Sequence, residues 1–192
     1  MCNVQRCRWC NLKNPVYMQY HDREWGVPQY EDGTLFEFLI LELFQAGLSW
    51  ETILNKREDF RRAFDGFDPE IIKNYGSEKI EALMKDASIV RNRRKIEAAI
   101  QNAGVFLTVQ KEWGSFSDYI WHFTEGNAVC EWDRTNSPLS DRISADLKKR
   151  GMKFIGTTIV YSYLQAIGVI NSHEPGCFLH QSCAQGNPIT DK

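Results

Sequence analysis

Apolar residues recur along most of the chain at intervals of three and four, the spacing of amphipathic helices. The most apolar stretch, 33–50, is hydrophobic nearly all round, which predicts a helix buried on every side. The next stretch, 49–67, begins with a weak capping-box pattern at Ser49 and keeps its apolar residues at roughly helical spacing. It predicts a second helix.

Capping residues mark two further helices in the middle of the chain. Asp68 followed by Pro69 predicts a helix start, and Gly76 predicts the end of that helix. Ser77 begins the next helix in the same manner.

The second half of the chain predicts four more helices, at 94–114, 115–123, 139–151 and 157–171. The third is expected to run from a Ser140 cap to Gly151. The last has a β-branched start that resembles a strand, but its length and its small residues favour a helix. Because no paired strand–turn–strand pattern occurs, the predicted fold class is all-α.

The composition is that of one globular domain. The chain has 192 residues, of which 43% are hydrophobic, and this fits a single domain at 1–192. No stretch approaches the roughly 18 uninterrupted apolar residues of a membrane span. The start "MCNVQRCRWC" has neither an apolar signal region nor a cleavage pattern. We therefore expect a cytoplasmic protein with no membrane partner.

The net charge of -2 argues against an unselective polyanion binder. Charge is clustered locally, however, in "RNRRK" at 91–95 and "KKRGMK" at 148–153. A solvated helix face or end is the simpler interpretation of each cluster taken alone. A specific contact with nucleic acid remains open for both.

The six cysteines lie mostly at the two ends of the chain. Without a secretory signal, reduced thiols or a metal site are favoured over disulfides. His173 and Cys177 stand four apart, a spacing that suits two ligands of one tetrahedral ion. Other candidate ligands are Cys7, Cys10, His21, His180 and Cys183. The residues alone leave the choice of the second pair open.

Glu42 is a carboxylate inside the most apolar stretch. Burying it unpaired is costly, so it needs hydrogen-bond donors, an arginine partner or a raised pKa. A structural glutamate and a carboxylate at the floor of a pocket both fit this pattern. The aromatic residues that could wall such a pocket, or simply fill the core, are Trp9, Tyr17, Tyr20, Trp25 and Trp50.

Five longer motifs resemble one protein family. They are "RCRW", "YMQYHDREWGVP", "LFEFLILELFQAGLSWETILNKRE", "IVRNRRKIEAAIQNA" and "LKKRGMKFIGTTIVYSYLQAIGVINSH". Together they span roughly residues 6 to 177 and are long and specific. The chain resembles the 3-methyladenine DNA glycosylase I family, of the helix–hairpin–helix DNA repair superfamily.

The resemblance implies an all-α fold of two lobes with the pocket between them and with termini joined by a structural zinc ion. The implied zinc ligands are Cys7, His21, His173 and Cys177. Cys7 is preferred to Cys10 because it stands in the R-C-x-W context. Two departures from the family pattern are one extra residue between the first two ligands and a longer tail after the last.

The resemblance also implies a DNA-binding hairpin at about 147–158, whose backbone amides near 151–156 bind phosphate. The side chains and backbone implied at this interface are Lys148, Lys149, Lys153, Gly156 and a wedge residue, Leu48. The expected partner is double-stranded DNA that contains alkylated purines. We expect the protein to act as a monomer.

The implied substrate is 3-methyladenine in DNA, a base that must leave the helical stack to be reached. The resemblance implies that Glu42 accepts hydrogen bonds from the flipped base, that Tyr20 assists, and that Trp50 stacks on it. The remaining aromatics, Trp9, Tyr17 and Trp25, shape the pocket. The superfamily's usual catalytic aspartate has no clear counterpart in "GTTIVYSYLQA".

The implied reaction is hydrolysis of the N-glycosidic bond by water, which leaves an abasic site and free 3-methyladenine. Two alternatives are a non-catalytic zinc-containing module that binds damaged DNA and a glycosylase for another alkylated purine, such as 3-methylguanine. An intact set of Glu42, Tyr20 and Trp50 argues against a pure binding module.

Overall fold

The computed structural model describes residues 4–180. The α-helices of this range are α1 (Pro15–Arg23), α2 (Asp32–Gln45), α3 (Trp50–Asn55), α4 (Arg57–Ala63), α5 (Pro69–Ile72), α6 (Ser77–Lys85), α7 (Arg93–Trp113), α8 (Phe116–His122), α9 (Pro138–Lys149) and α10 (Thr157–Ala166). A 3-10 turn, Asp65–Phe67, and two short strands, β1 (Val129–Cys130) and β2 (Ile170–Asn171), complete the order. The fold is therefore mostly helical, as predicted.

Helix α2 is the centre of the core. All residues from Leu35 to Phe44 are buried, which confirms the prediction of a helix apolar on every side. The helix packs against α7 and α10, and the Phe36 and Phe106 ring centroids lie 4.8 Å apart. Glu42 therefore projects from the most tightly enclosed helix of the molecule.

The stretch 46–49 is a turn rather than the end of a long helix. Helix α2 ends at Gln45 because Ala46 leaves the helical region, with ψ at 112°, and Gly47 adopts a positive φ of 81°. Ser49 then caps α3, and its side chain accepts a hydrogen bond from the Thr52 N–H at 3.2 Å. This break leaves Leu48 exposed at the tip of the turn.

The prediction of one continuous helix over 49–67 is wrong. Lys56 separates α3 from α4 with φ −103° and ψ 2°, and Gly66 takes a positive φ in the following 3-10 turn. The apolar residues keep helical spacing across both breaks, since all of them face the same core. Periodicity alone could not locate the interruptions.

Two predicted caps are shifted along the chain. Helix α9 begins one turn earlier than expected, because Ser137 is its cap, Pro138 fills the first position, and Ser140 completes a capping box as the third residue. Helix α6 is capped by the backbone of Gly76, and Ser77 is its first residue.

The last predicted helix, 157–171, ends at Ala166 instead. Gly168 follows with a positive φ of 72°, and a Cβ added there would lie 2.2 Å from the carbonyl carbon of Val27. The chain then forms β2, which pairs in parallel with β1. This two-residue strand pair was not predicted, but residues 4–180 are otherwise mostly helical, as the all-α prediction requires.

Helix α7 holds two connecting segments in place through side-chain hydrogen bonds. Near its start, the Lys95 ammonium donates to the carbonyls of Phe44 and Ala46, at 2.8 Å and 2.6 Å, and so caps the end of α2. Two turns later, Asn102 exchanges two hydrogen bonds with the backbone of Lys153 in the α9–α10 hairpin, at 3.0 Å and 2.8 Å. No helix within residues 4–180 is long and apolar enough to cross a membrane.

Candidate active site and metal centre

A cavity of about 810 Å³ is lined on one side by residues from the first 50 positions of the chain. Residues of α9, of α10 and of the segments 133–137 and 172–174 complete its lining. All six residues predicted for the base pocket line it: Trp9, Tyr17, Tyr20, Trp25, Glu42 and Trp50. Helices α1, α2 and α3 carry four of these side chains, so one wall of the cavity combines a carboxylate with aromatic rings. A volume of this size can enclose a small aromatic ligand.

Glu42 is the buried charge-bearing group of this wall. Its residue is 3% exposed, and its Oε2 atom has no hydrogen-bond partner among the residues that the structure describes. Burial raises the pKa of Glu42 to about 8, because the low-dielectric surroundings disfavour the carboxylate. The group is therefore poised to meet a ligand that supplies hydrogen-bond donors or positive charge.

The aromatic wall is built from rings in mutual contact. The centroids of Tyr20 and Trp50 lie 5.3 Å apart, and Trp9 packs edge-on against Trp25 at 4.7 Å. Burial raises the pKa of Tyr17 to about 12 and that of Tyr20 well above its ordinary value, so both phenols stay protonated. The buried Trp50 indole N–H also lacks an acceptor in the described part of the chain.

The opposite wall is polar and was not found in the sequence. The segment 133–138 contributes half of its residues, and the other half are Gln45, Asp141, Ser162, Gln165, Ser172 and Glu174. A run of exposed polar residues has no apolar period, so the only sequence signal for this wall was the cap pattern before α9. A cavity that combines aromatic rings with polar groups suits a planar ligand that also carries polar substituents.

The Glu42 carboxyl predicts a pH-dependent stability. The pKa of Glu42 rises from 4.5 in the unfolded chain to about 8 in the folded protein. The contribution of the neutral carboxyl to the free energy of unfolding is therefore fully present below pH 4.5 and is lost as pH rises towards 8. Relative to Glu42→Gln, the wild-type free energy of unfolding should fall by up to about 1.4 kcal/mol per pH unit across this window. Denaturant unfolding of both proteins from about pH 5 to 8 measures the difference. If the unfolding free energies of the two proteins instead changed in parallel with pH, the Glu42 carboxylate would have to be paired or hydrated.

Four buried side chains form a second cluster where the two ends of the chain meet. The ligand-type atoms of Cys7, His21, His173 and Cys177 all lie within 4.8 Å of one another. His173 Nδ1 is 3.5 Å from both sulfurs, and His21 Nε2 is 3.5 Å from the Cys177 sulfur. Tetrahedral zinc with bonds of about 2.3 Å to sulfur and 2.0 Å to nitrogen has sulfur–nitrogen edges of roughly 3.5 Å. The donor set fits that ion.

The outer nitrogens of both imidazoles have partners of their own. His21 Nδ1 lies 2.8 Å from Asp22, which Arg6 binds with two nitrogens at 2.8 Å and 2.6 Å. His173 Nε2 lies 3.2 Å from the Trp25 carbonyl oxygen. These contacts fix the ring orientations, and outer partners of this kind are usual around metal-binding histidines.

A model of the methyladenine glycosylase family matches residues 9–180. The chain belongs to the methyladenine glycosylase family. It is 43% identical over 191 residues to DNA-3-methyladenine glycosylase 1 of Escherichia coli (strain K12), and the match covers 96% of this chain and 99% of that protein.

Solved structures agree with the family assignment. A crystal structure of 3-methyladenine DNA glycosylase I superposes with a TM-score of 0.87 at 44% identity, covering 91% of this chain and 98% of that one. A variant of 3-methyladenine DNA glycosylase I in complex with 3-methyladenine gives a TM-score of 0.84 at 36% identity, covering 90% and 97%.

The remaining sulfur and histidine residues do not belong to the four-residue cluster of this methyladenine glycosylase. Cys10 is buried, and its thiol lies 3.9 Å from the Tyr17 carbonyl oxygen. His180 Nδ1 lies 2.6 Å from the His173 carbonyl oxygen, and Cys130 is exposed on β1. Cys2 and Cys183 lie outside the described residues.

Fewer backbone amides of the hairpin between α9 and α10 are free of intramolecular hydrogen bonds than the predicted range of 151–156. The N–H groups of Gly151 and Met152 donate to the end of α9, and that of Lys153 donates to Asn102. Within residues 4–180, the N–H groups of 154–156 find no acceptor, and α10 begins at Gly156 without a side-chain cap. Of the amides predicted to bind phosphate, those of 154–156 therefore have no acceptor among the described residues, and the phosphate contact itself stays a prediction.

The predicted lysines of the hairpin, Lys148, Lys149 and Lys153, are all exposed. Arg150, which lies between them, is held by ion pairs with Asp146 at 2.6 Å and Glu112 at 2.5 Å. It also covers the Tyr119 ring. Arg150 therefore serves the packing of the hairpin, whereas the lysines face solvent.

Proposed function

We propose that the protein is a DNA repair glycosylase that excises 3-methyladenine from duplex DNA. The observation that carries this proposal is the buried, unpartnered Glu42 carboxyl in an aromatic-walled cavity of a methyladenine glycosylase. The names of the relatives and the complex of a homologous enzyme with 3-methyladenine support the same substrate. The base would enter the cavity by rotating out of the duplex.

Recognition of 3-methyladenine would depend on cavity groups that interact more favourably with the methylated, positively charged base than with unmethylated adenine. In DNA, methylation at N3 leaves the adenine ring with a positive charge. Glu42 can accept hydrogen bonds from the exocyclic amine and stabilise that charge, while Trp50 and Tyr20 offer aromatic faces to it. An uncharged adenine would leave the buried carboxyl without compensation for its desolvation.

The chemistry we propose is hydrolysis by water. The oxygen of a water molecule bonds to C1′ of the sugar, the N-glycosidic bond breaks with its electrons moving to the base, and the water loses a proton. Because the departing base becomes neutral, little acid catalysis is required. None of the described residues that line the cavity is a lysine, which supports a reaction without a Schiff-base lyase step.

The released base distinguishes a glycosylase from a protein that only binds damaged DNA. Incubation with methylated duplex DNA should release a free base and leave abasic sites, with strands that stay intact until alkali treatment. Tight binding to the same DNA with no released base would establish the binding module instead. Release of 3-methylguanine in preference to 3-methyladenine would select the other alternative.

We propose that the ion in the four-residue cluster is a structural zinc. Cys7, His21, His173 and Cys177 would hold it, and the ion would stabilise the Cys7 thiolate, which burial otherwise disfavours. Four protein ligands leave no open position for catalysis. The zinc would instead bind 7–21 to 173–177 and so fix Trp9 and Trp25 beside the cavity.

We also propose that DNA contacts the turn at Leu48 and the α9–α10 hairpin. Leu48 is 39% exposed at the end of α2, a few residues from Glu42, where an apolar side chain can fill the gap left by a flipped base. The free amides of 154–156 and the uncapped start of α10 suit a backbone phosphate. The exposed lysines of the hairpin add sequence-independent attraction.

Charge reversal in the hairpin should weaken DNA binding similarly for all sequences. We expect Lys149→Glu to lower affinity roughly tenfold or more near 50 mM salt and to flatten the salt dependence. Lys85→Glu is the matched control, since it makes the same change at an exposed lysine at the end of α6, outside the hairpin and the Leu48 turn. Arg150→Glu is unsuitable because it breaks two ion pairs of the fold. An unchanged salt slope in Lys149→Glu would remove this lysine from the DNA interface.

A further inference from the structure

The basic cluster at 91–95 does not act as one charged patch. Lys95 is buried and caps α2 through its two carbonyl contacts. Arg93 forms an ion pair with Glu81 and lies 4.0 Å from Glu97. Arg94 is exposed, and among residues 4–180 no carboxylate pairs with it. Neighbouring arginines thus have different environments.

Arg94 opens onto a groove of about 550 Å³ between α7 and the hairpin. Its lining residues are Arg94, Glu97, Ala98, Gln101, Lys153 and Phe154. Arg94, Ala98 and Gln101 lie on one face of α7, at helical spacings of four and three. The small, buried Ala98 leaves room for another molecule to approach between the longer side chains.

The groove lies between the two predicted DNA contacts. Lys95 ties the start of α7 to the turn that carries Leu48, and Asn102 ties α7 to the hairpin. Seven residues of helix separate these attachments, about 10 Å. One strand of B-DNA carries a phosphate about every 3.4 Å of the helix axis, so this distance corresponds to about three phosphates of one strand. A strand that touches both Leu48 and the hairpin would pass close to α7, where the exposed Arg94 lies beside the groove.

The charges of the groove favour an anion. The first turn of α7 contains no acidic residue, and its positive end adds to the field of Arg94. The side chain of Lys153 is exposed on the other side of the groove, without an ion-pair partner in the described range. The acidic lining residue, Glu97, lies close to Arg93.

We propose that Arg94 binds a backbone phosphate of the duplex, between the wedge and the hairpin. This inference rests on the proposed function, because it requires that DNA occupy the hairpin and the Leu48 turn. Arg94 would thereby position the strand over α7 and contribute affinity without reading sequence. Arg93, next to it in the chain, would contribute nothing.

The test compares Arg94→Gln with Arg93→Gln, two variants with the same loss of charge at adjacent positions. Binding to a duplex with one stable abasic-site analogue is measured by fluorescence anisotropy at a series of salt concentrations, and thermal melting confirms that each variant is folded. One lost phosphate contact should reduce the salt slope by about 0.9 and the affinity near 50 mM salt by roughly tenfold. We expect this in Arg94→Gln, retention of most of the slope in Arg94→Lys, and a wild-type slope in Arg93→Gln.

A wild-type slope in Arg94→Gln, or an equal loss in Arg93→Gln, would overturn the inference while leaving the proposed function intact. Failure of the wild-type protein to bind the duplex in a salt-dependent manner would refute the proposed DNA interface itself. The two failures are therefore distinct.

Discussion

Replacing Glu42 by glutamine should lower the rate of 3-methyladenine release by about 100-fold or more, the loss typical for removal of one preorganised electrostatic group. Glutamine keeps the shape of the side chain but cannot carry the negative charge that stabilises a cationic base. Since burial of Glu42 raises its pKa to about 8, the substitution also removes a group that is costly to ionise. The variant should therefore fold at least as well as the wild type near pH 8.

The matched control for this prediction is Glu37→Gln. Glu37 is the other buried carboxylate of α2, but it lies outside the cavity and forms ion pairs with Arg57 and Arg61. Its loss should reduce stability and leave base release by the folded protein near the wild-type rate. Single-turnover release measured by chromatography separates the two effects. Wild-type release by Glu42→Gln would remove Glu42 from the catalytic account.

Loss of one cluster ligand should have the largest effect on stability. We expect Cys177→Ala to lose bound zinc and to fall in unfolding free energy by roughly 3–5 kcal/mol, a fraction of the about 10–16 kcal/mol that zinc contributes in small zinc-dependent folds. A typical domain is stable by only about 5–15 kcal/mol. The variant should therefore melt at a much lower temperature or fail to accumulate.

Cys10→Ala provides the matched control, because Cys10 is also buried and close to the cluster but is not part of it. It should keep one zinc per chain and lose about 1 kcal/mol of stability, as expected for an ordinary buried substitution. Zinc content by elemental analysis and thermal melting are the measurements. Stoichiometric zinc in Cys177→Ala would contradict the proposed ligand set.

The sequence predicted the enclosed parts of the molecule well. Helix α2 is apolar all round, and the structure buries its central residues without exception. The six pocket residues and the ligand candidates were named from residue types and spacing, the family resemblance selected four ligands among the candidates, and the structure brings each set together. These parts were predictable because burial and ligand chemistry restrict which residue types can occupy them.

The breaks between helices, the loops and the contacts of surface side chains were harder to predict. The cap at Ser49 marked the start of α3, but apolar spacing continues across the break at Lys56, so the pattern gives no sign that the backbone leaves the helix there. The polar wall at 133–138 has no period at all. The cluster at 91–95 appeared uniform in sequence, yet Arg93, Arg94 and Lys95 differ because their directions around α7 differ. Such differences depend on tertiary neighbours.

The central claim is that this cavity removes 3-methyladenine from DNA. The most direct measurement is a time course of free-base release from methylated duplex DNA by the purified wild-type protein, with the products separated and identified by chromatography. The account predicts that 3-methyladenine appears while adenine from untreated DNA does not. A folded, zinc-containing protein that binds the methylated duplex but releases no 3-methyladenine would contradict it.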